Sequence, residues 1–357
     1  MMFHLLSQTL HPRSSPITKQ LLSATIRHKA TTTTVAITRE IPDSFVDAIS
    51  FHYDQQQQQQ QQGVGDVVVS LQKARDQHSN YINTLKQHII TPSEKQGDGT
   101  TGDKKKGGGG IINLPALESY PDCVFVEDTM VAIDDTAVVT RMGHEKRRGE
   151  VASMKSVLLD LEGMRNVYDM NDSTTDDDNG TCCCDGGDVL YTGRHLFVGI
   201  TNRTNENGYK YLKKVFSYHH GLVNEENVIP IPMMMSSYMN VGKKDSNRGG
   251  VLHLKSAVTH IDEETVVLPE GKLGDVLQQI MKLSDRGYKT IRLPDVLSCN
   301  AVVVNGHVLA QDSSCSVSKH RIEGACLERG LGVSFVDTSE LAKKDAALTC
   351  CSVLLSV

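Results

Sequence analysis

A repeated order of segments constrains the fold of this 357-residue chain more than any other feature. Two short apolar segments are followed by an amphipathic helical pattern and a further apolar segment, and this order recurs. Short strands that alternate with helices are typical of α/β proteins built from repeated units. The Asn305-Gly306 pair between two apolar segments also predicts a tight β-hairpin. We predict strands at 33–37, 124–126, 137–140, 189–190, 196–200, 252–255, 266–268, 302–304, 308–310, 332–335 and 348–355, and helices at 66–90, 146–163, 208–217, 273–286 and 319–329.

The composition and charge exclude several classes of protein. A formal net charge of −6 gives no basic surface of the kind that binds nucleic acid. No apolar run approaches the about 20 residues that a membrane-spanning helix needs. The nine cysteines are odd in number and contain no CxxC pair, which predicts a reducing compartment and no disulfide framework. We therefore expect neither a nucleic-acid partner nor a membrane partner.

The segment at residues 1–30 differs from the rest of the chain. It carries basic and hydroxyl side chains, and no acidic residue occurs before Glu40. This composition is typical of a transit peptide and equally of a disordered tail, so a cytoplasmic or mitochondrial location is expected. We expect residues 31–357 to form one domain, monomeric or homodimeric, with low-complexity loop insertions. These insertions are placed at about 54–65, 96–110, 170–184 and 241–250.

Two adjacent cysteines, Cys350 and Cys351, lie in an apolar segment near the C-terminus. The Val and Leu residues around them suit a buried strand, in which successive side chains point to opposite faces. Two adjacent thiols in a strand therefore cannot both serve one site. Free cysteines are commonly buried core residues. Either both thiols belong to the core, or one of them is a nucleophile on a rigid strand.

Three carboxylates, Asp122, Glu127 and Asp128, flank a short apolar segment. In a strand, Asp122 and Asp128 would share one face and Glu127 would take the other. Carboxylates at a strand end are often only solvated. Two adjacent carboxylates are also the groups that best pair with a planar guanidinium and its five N–H donors. The pattern indicates either a polar strand end or a pocket for a cation.

Further polar residues could complete such a pocket. Asp185 and Asp188 enclose two glycines, as in an ordinary turn or in backbone that approaches a ligand closely. His253 lies between two leucines, where it is either a core residue or the acid/base partner of a cysteine nucleophile. Arg147 and Arg203 are either solvated or bind the carboxylate of an amino-acid ligand.

The order of these blocks resembles dimethylarginine dimethylaminohydrolase, a family of the guanidino-modifying superfamily that also includes arginine deiminase and agmatine deiminase. The resemblance extends from about residue 33 to the end of the sequence and is interrupted by the insertions. It rests on Leu114-Pro115, residues 121–128, Thr140-Arg141, residues 185–205 (DGGDVLYTGRHLFVGITNRTN), residues 252–256 and residues 339–355 (SELAKKDAALTCCSVLL).

The resemblance implies a fold and a set of roles. The fold would be a five-bladed α/β propeller of pseudo-symmetric ββαβ units around a central active-site pocket. Cys350 would be the nucleophile, His253 the general acid/base and Asp185 the carboxylate that orients the histidine. Substrate would be bound by Glu127 and Asp128 at the guanidinium, by Asp122 and Ile41 at the amino end, and by Arg147 and Arg203 at the carboxylate.

Lys344 departs from the family, which has an apolar residue six positions before the nucleophile and makes a further substrate contact there. A contact through the backbone carbonyl would tolerate this change. A contact through the side chain would alter recognition of the amino acid.

The implied activity is hydrolysis of asymmetric dimethylarginine or monomethylarginine to citrulline and an amine, through a covalent thiouronium on cysteine. It would place the chain in arginine metabolism and nitric oxide regulation, with a small-molecule substrate. No cofactor and no metal are needed, although zinc on Cys350 and His253 would inhibit. An arginine or agmatine deiminase remains an alternative, as does a non-catalytic relative that acts as a binding protein.

Overall fold

The computed structural model describes residues 34–49, 68–89, 110–172, 181–233 and 252–357. One compact unit spans Thr33–Val357. The predicted extension at 1–30, the glutamine-rich insertion at about 54–65 and the insertion at 241–250 lie outside the described residues. So do all but residue 110 of the insertion at 96–110, and residues 173–180 of the insertion at 170–184.

The described strands form five three-stranded sheets. In each sheet the middle strand pairs antiparallel with one neighbour and parallel with the other. The sheets, each with its antiparallel neighbour first, are β15 (Val353–Ser356), β1 (Thr34–Arg39) and β2 (Gly110–Leu114); β3 (Met130–Ile133), β4 (Thr136–Val139) and β5 (Asn166–Asp169); β6 (Val189–Tyr191), β7 (Leu196–Ile200) and β8 (Val228–Pro232); β9 (Thr259–Asp262), β10 (Thr265–Pro269) and β11 (Lys289–Leu293); and β12 (Ala301–Val304), β13 (His307–Gln311) and β14 (Gly332–Val336).

A helix connects the middle strand of each sheet to its parallel neighbour, as a parallel pair requires. Ser70 caps the first helix by accepting a hydrogen bond from the Lys73 N–H, and Asn205 caps the third through the Gly208 N–H. No helix in the described ranges is long and apolar enough to cross a bilayer. The helices are α1 (Leu71–His88), α2 (Val151–Asp160), α3 (Glu206–Lys213), α4 (Gly271–Ile280), α5 (Ser316–Glu328) and the short α6 (Ser339–Ala342).

The antiparallel neighbours β15, β3, β6, β9 and β12 are the inner strands, because residues from all of them line one central cavity of about 280 Å³. The middle strands are almost wholly buried, which explains the run of at least three apolar residues in each of them. Five ββαβ units around a cavity make a five-bladed α/β propeller, and this confirms the predicted fold. One blade combines the first and last strands, since β1 pairs with β15.

Apolar side chains of each helix pack against the sheets. In one such cluster Met154 and Leu158 of α2 are fully buried against Ala137 and Val139 of β4. Burying one side chain of this size stabilises a fold by about 1.5–3 kcal/mol. The Asn305-Gly306 hairpin is confirmed as well: both residues have positive φ, 49° and 78°, as a tight hairpin turn demands.

Three segments predicted as strands are instead 3₁₀ turns that lie before an inner strand. Residues 124–126 lead into the turn Val126–Thr129, residues 252–255 into Leu254–Ser256, and residues 348–351 into Thr349–Cys351. The predicted alternation of Asp122, Glu127 and Asp128 over two strand faces is therefore wrong. These segments are apolar because the turns are buried, and burial by itself does not distinguish a turn from a strand.

Candidate active site

Each of the five inner strands is preceded by a short 3₁₀ turn, and we call these the inner turns. They are Thr349–Cys351, Val126–Thr129, Gly186–Asp188, Leu254–Ser256 and Leu297–Cys299, which precede β15, β3, β6, β9 and β12. The predicted catalytic and guanidinium-binding residues lie in or next to four of these turns. Hydrogen bonds and ion pairs join the turns to one another, so residues that are up to 222 positions apart in sequence meet at one end of the cavity.

Glu127 lies between two inner turns and is 6% exposed. Its Oε1 is 2.7 Å from Lys255 Nζ, and its Oε2 accepts a hydrogen bond of 3.0 Å from the Thr349 hydroxyl. Burial raises the pKa of Glu127, and the nearby Lys255 opposes this shift. Glu127, Lys255 and Thr349 also line the central cavity. The carboxylate therefore already has a cationic partner within the protein.

Asp128 is bound by a charged side chain and by a backbone N–H. It accepts hydrogen bonds of 2.7 Å from Arg147 Nη1 and 3.0 Å from the Gly187 N–H. Its Oδ1 is also 3.8 Å from His253 Nδ1. Burial alone raises the pKa of Asp128, but the charges of His253 and Arg147 outweigh it and lower the pKa to about 2. Asp128 is therefore ionised at neutral pH.

His253 is held between carboxylates on both ring nitrogens. Nε2 is 3.2 Å from Asp185 Oδ2, while Nδ1 faces Asp128. Burial lowers the pKa of His253, yet the carboxylates of Asp128, Asp188 and Asp185 raise it to about 9. The ring is therefore an imidazolium, whose Nε2–H donates to Asp185 while its Nδ1–H lies beyond hydrogen-bond distance of Asp128.

Gly187 makes this arrangement possible. A Cβ at that position would lie 2.7 Å from Asp128 Oδ1 and 2.8 Å from His253 Nδ1, so any side chain would push these groups apart. Asp185, two positions before Gly187, is fully buried. The Asp185 oxygen that does not bond to His253 accepts a 2.8 Å hydrogen bond from the Gly143 N–H. The two glycines of the acidic motif thus leave space for protein groups of the site.

Cys350 and Cys351 differ in burial although they are neighbours. Cys351 is fully buried in a hydrophobic core, and its thiol points to the Ala347 carbonyl at 3.8 Å. Cys350 is only partly buried, and its thiol is close enough to Glu127 and Asp128 for both charges to act on it. Burial, Glu127 and Asp128 raise the pKa of Cys350. These three influences therefore favour the thiol, and a bound cation would favour the thiolate.

Several polar residues that fix the site were missing from the sequence prediction. Asp188 accepts 2.7 Å hydrogen bonds from the hydroxyls of Thr201 and Thr204, and its pKa is raised to about 6 by burial. Asn300 bonds to both the N–H and the hydroxyl of Thr349, and it also donates to the Lys255 carbonyl. Asp188 and Lys255 lie inside motifs that the sequence analysis singled out, but Asn300 carries no sequence signal of this kind.

The residues predicted at the substrate's amino end lie together beside the site. Both oxygens of Asp122 accept from the Ile49 N–H, at 3.1 and 3.2 Å. The Ile41 carbonyl accepts a hydrogen bond of 3.0 Å from Arg75 Nη2. Lys344 Nζ donates to the carbonyls of Val46 and Ala48, at 2.7 and 3.1 Å.

The two predicted carboxylate-binding arginines have different surroundings. Arg147 is 6% exposed and donates to Asp128, Glu150 and two backbone carbonyls. Burial raises the pKa of Glu150 to about 7 in spite of this partner. Arg203 is partly exposed, and its guanidinium has no hydrogen-bond or ion-pair partner among the described residues. Of the two, only Arg203 has donors free for a ligand in this arrangement.

One cluster among the described residues has spacing suited to a metal ion, namely Asp128, Asp185 and His253. Their ligand atoms lie within 4.8 Å of one another. The cluster does not include Cys350, so the inhibitory zinc contact of that thiol stays a prediction.

Comparison with known proteins finds relatives and solved structures that are similar to this chain. A dimethylarginine dimethylaminohydrolase of Pseudomonas aeruginosa is 25% identical over 283 residues, which cover 79% of this chain and 88% of the relative. The crystal structure of a Pseudomonas aeruginosa dimethylarginine dimethylaminohydrolase variant with citrulline superposes with a TM-score of 0.65, 21% identity and coverage of 91% and 100% of the two chains. The N-terminal domain of ArgZ, a cyanobacterial arginine dihydrolase, superposes with a TM-score of 0.60 and 16% identity over 91% and 98%.

A protein-family model matches a shorter stretch. Residues 112–238 match the family described as RNA-editing substrate-binding complex 5 protein. This match covers less than half of the chain and includes the second and third blades.

The fold is that of the five-bladed propellers called penteins, since these solved structures superpose over about nine-tenths of the chain. In sequence, the chain is similar to dimethylarginine dimethylaminohydrolases, with 25% identity to the bacterial relative over 79% of its length. The family resemblance expected from the sequence is confirmed, and a hydrolase acting on amidines is the coarse function that goes with it.

Proposed function

We propose that the protein hydrolyses Nω-methylated L-arginine, above all asymmetric dimethylarginine, to citrulline and dimethylamine. The observation that supports this most is that the thiol of Cys350 and the ring of His253 both interact with Asp128, next to Glu127, which lines the cavity. A thiol, an imidazolium and two carboxylates are the groups that bind a guanidinium and displace one of its nitrogens.

Substrate binding prepares the nucleophile. The guanidinium would pair with Glu127 and Asp128 and would compete with Lys255 for Glu127. Because these carboxylates raise the pKa of Cys350, a cation that neutralises them lowers it and generates the thiolate beside the substrate carbon. Holding the two reacting atoms in contact supplies much of the rate enhancement.

Proton transfer at His253 completes two displacement steps. The Cys350 thiolate adds to the guanidinium carbon, and the His253 imidazolium protonates the departing dimethylamine, which leaves a thiouronium on Cys350. Neutral His253 then takes a proton from water, and hydroxide adds to the same carbon. Expulsion of the thiolate yields citrulline, and the remaining proton passes to solvent, where the free amine binds one. Asp185 holds the imidazole ring during both transfers.

The remaining roles are assigned by position. Asp122 would receive the α-amino group, and Arg203 would bind the α-carboxylate because its donors are free. Arg147 would orient Asp128, and a carboxylate contact would require it to release one of its present bonds. The link to nitric oxide regulation, the cytoplasmic or mitochondrial location and the monomeric or homodimeric state stay predictions.

A product assay tests the proposal. The purified chain is incubated with asymmetric dimethylarginine, with arginine and with agmatine, and citrulline, dimethylamine and ammonia are measured. We expect citrulline and dimethylamine in equal amounts from the first substrate and little ammonia from the other two. Preferential release of ammonia would instead indicate a deiminase, an alternative supported by the structural similarity to an arginine dihydrolase.

A binding protein without activity is the second alternative, and the match of residues 112–238 to a family described as part of a substrate-binding complex favours it. It predicts that methylarginine binds but that no substrate is turned over. Cys350 is partly exposed, and the charge of Asp128 acts on both its thiol and the His253 ring; this arrangement argues for catalysis, since a binding site has no need of this pair.

A further inference from the structure

Residues 41–49, which follow β1, are held by polar side chains from distant parts of the chain, and we call them the 41–49 segment. Arg75 binds the Ile41 carbonyl at its start. Lys344 binds the Val46 and Ala48 carbonyls at its end. Lys344 is 298 positions from Val46 in sequence, so this contact joins the stretch before the nucleophile to the stretch after the first strand.

The peptide group between Ala48 and Ile49 is bound from both sides. Its oxygen accepts a 3.1 Å hydrogen bond from the Lys344 ammonium. Its N–H donates to both carboxylate oxygens of Asp122, at 3.1 and 3.2 Å. A cation at the oxygen and an anion at the N–H polarise a peptide in the same direction, so each hydrogen bond strengthens the other. Both bonds involve an ionised group and are therefore of the stronger kind.

The position of Asp122 depends on this peptide. Asp122 is 5% exposed, and burial raises its pKa. The hydrogen bond from Ile49 and the charges of Arg147 and Arg203 act in the opposite direction and favour the carboxylate. A loosened Ala48–Ile49 peptide would therefore both displace Asp122 and make its ionised form less stable.

We propose that Lys344 is a positioning residue which fixes Asp122 through the Ala48–Ile49 peptide and thereby makes the site selective for substrates with an α-amino group. This rests on the proposed function, in which Asp122 receives that group. Lys344 does not act on the guanidinium end, because none of its hydrogen bonds reaches the inner turns. Its removal should therefore affect substrate binding and leave the chemical steps unchanged.

The adjacent lysine offers a matched control. Lys343 donates to the Val68 carbonyl at 2.9 Å and to Glu340 at 2.6 Å, and within the described part of the chain it makes no hydrogen bond or ion pair to the 41–49 segment. Lys343→Met and Lys344→Met thus remove the same charge and the same kind of bond from neighbouring positions. Lys344→Arg retains a cation of similar reach and serves as the rescue variant.

The test compares two substrates, asymmetric dimethylarginine and the otherwise identical compound without the α-amino group. Lys344→Met should raise KM for dimethylarginine about tenfold at unchanged kcat, as expected for the loss of a charge-assisted hydrogen bond. KM for the desamino compound should change less than about twofold, and Lys344→Arg should restore much of the loss. Lys343→Met should match the wild type for both substrates. An equal rise in KM for the two substrates, or no rise at all, overturns the proposal.

A binding experiment separates this inference from the proposed function. Calorimetric titration of Cys350→Ser and of Cys350→Ser with Lys344→Met, using the same two compounds, does not depend on turnover. If the wild type forms no citrulline but Lys344→Met removes a preference for the α-amino compound, the proposed function fails and the inference stands. If the Cys350→Ser protein has no preference for the α-amino compound, the inference fails whatever the turnover.

Discussion

Two inner turns of this propeller have the same 3₁₀ backbone conformation and differ in the side chains that surround them. The turn Thr349–Cys351 precedes β15, and the turn Leu297–Cys299 precedes β12. Each turn ends on a cysteine two positions before its strand, and both thiols are fully buried. Cys351 points to the carbonyl of Ala347 and Cys299 to that of Asp295, in each case four residues earlier. Cys351 is thus the counterpart of Cys299, and both are structural.

The residue immediately before the buried cysteine distinguishes the two turns. In the blade of β12 it is Ser298, whose hydroxyl bonds to Ser313 and which is 1% exposed. In the blade of β15 it is Cys350, which is partly exposed and whose thiol feels the charges of Glu127 and Asp128. The turn by itself is a repeated structural device. Its chemistry depends on which side chain occupies one position and on what the neighbouring blades bring to it.

Replacing each of the two adjacent cysteines by serine should give the largest difference in activity. Cys350→Ser should lower kcat by at least about 10³-fold, because a hydroxyl at this site is a far weaker nucleophile than a thiolate. Cys351→Ser should keep nearly full activity, since its thiol lies in the core. Citrulline formation measures both variants. The opposite result would show that the equivalence of Cys351 and Cys299 is misleading.

The second largest effect should come from removing the imidazole of His253, which lies just before the Leu254–Ser256 turn. His253→Ala is expected to reduce kcat by about 10²–10⁴-fold, the usual contribution of a general acid/base. Because the hydrolysis of the thiouronium also needs this base, mass spectrometry of the intact variant should detect the covalent adduct on Cys350. His307→Ala, on a strand of the blade with Cys299, is the control and should turn over normally. Wild-type rates in His253→Ala would mean that another group transfers the proton.

The ionised histidine should also appear in the pH dependence of stability. His253 has a pKa of about 9 in the folded protein against an ordinary value of 6.5. Its stabilising contribution is therefore complete below pH 6.5 and is lost as the pH rises through 9. Relative to His253→Gln, the free energy of unfolding of the wild type should fall by roughly 3 kcal/mol over this range. Urea titrations at several pH values measure it, and parallel curves for the two proteins would refute it.

The smallest expected effect is a change in stability, and it tests whether the two structural cysteines are equivalent. Cys299→Ser and Cys351→Ser each place a hydroxyl in a buried apolar site, where the carbonyl four residues earlier offers one acceptor. We expect similar losses of about 1–2 kcal/mol in the free energy of unfolding, measured by urea titration. Neither variant should alter kcat. A loss confined to one of them would show that the two positions are not equivalent.

Much of the fold followed from local patterns. The Asn305-Gly306 hairpin, the middle strands and the helices came from signals that a few neighbouring residues carry, although helix ends shifted by several positions. The segments around Glu127, His253 and Cys350 were assigned to strands for a definite reason. A buried 3₁₀ turn and a short buried strand have the same apolar composition, so the sequence pattern does not separate them.

By itself, the sequence determined the chemical groups of this protein and their order: two adjacent carboxylates, an acidic glycine motif, one histidine and a cysteine pair. Only the tertiary structure decided their partners. It paired Glu127 with Lys255, enclosed Arg147 between Asp128 and Glu150, and directed Lys344 onto the Ala48 carbonyl. The physical reason is that ion pairs and hydrogen bonds need contact within a few ångströms. Most of these contacts join residues far apart in sequence, which only the closed ring of five blades brings together.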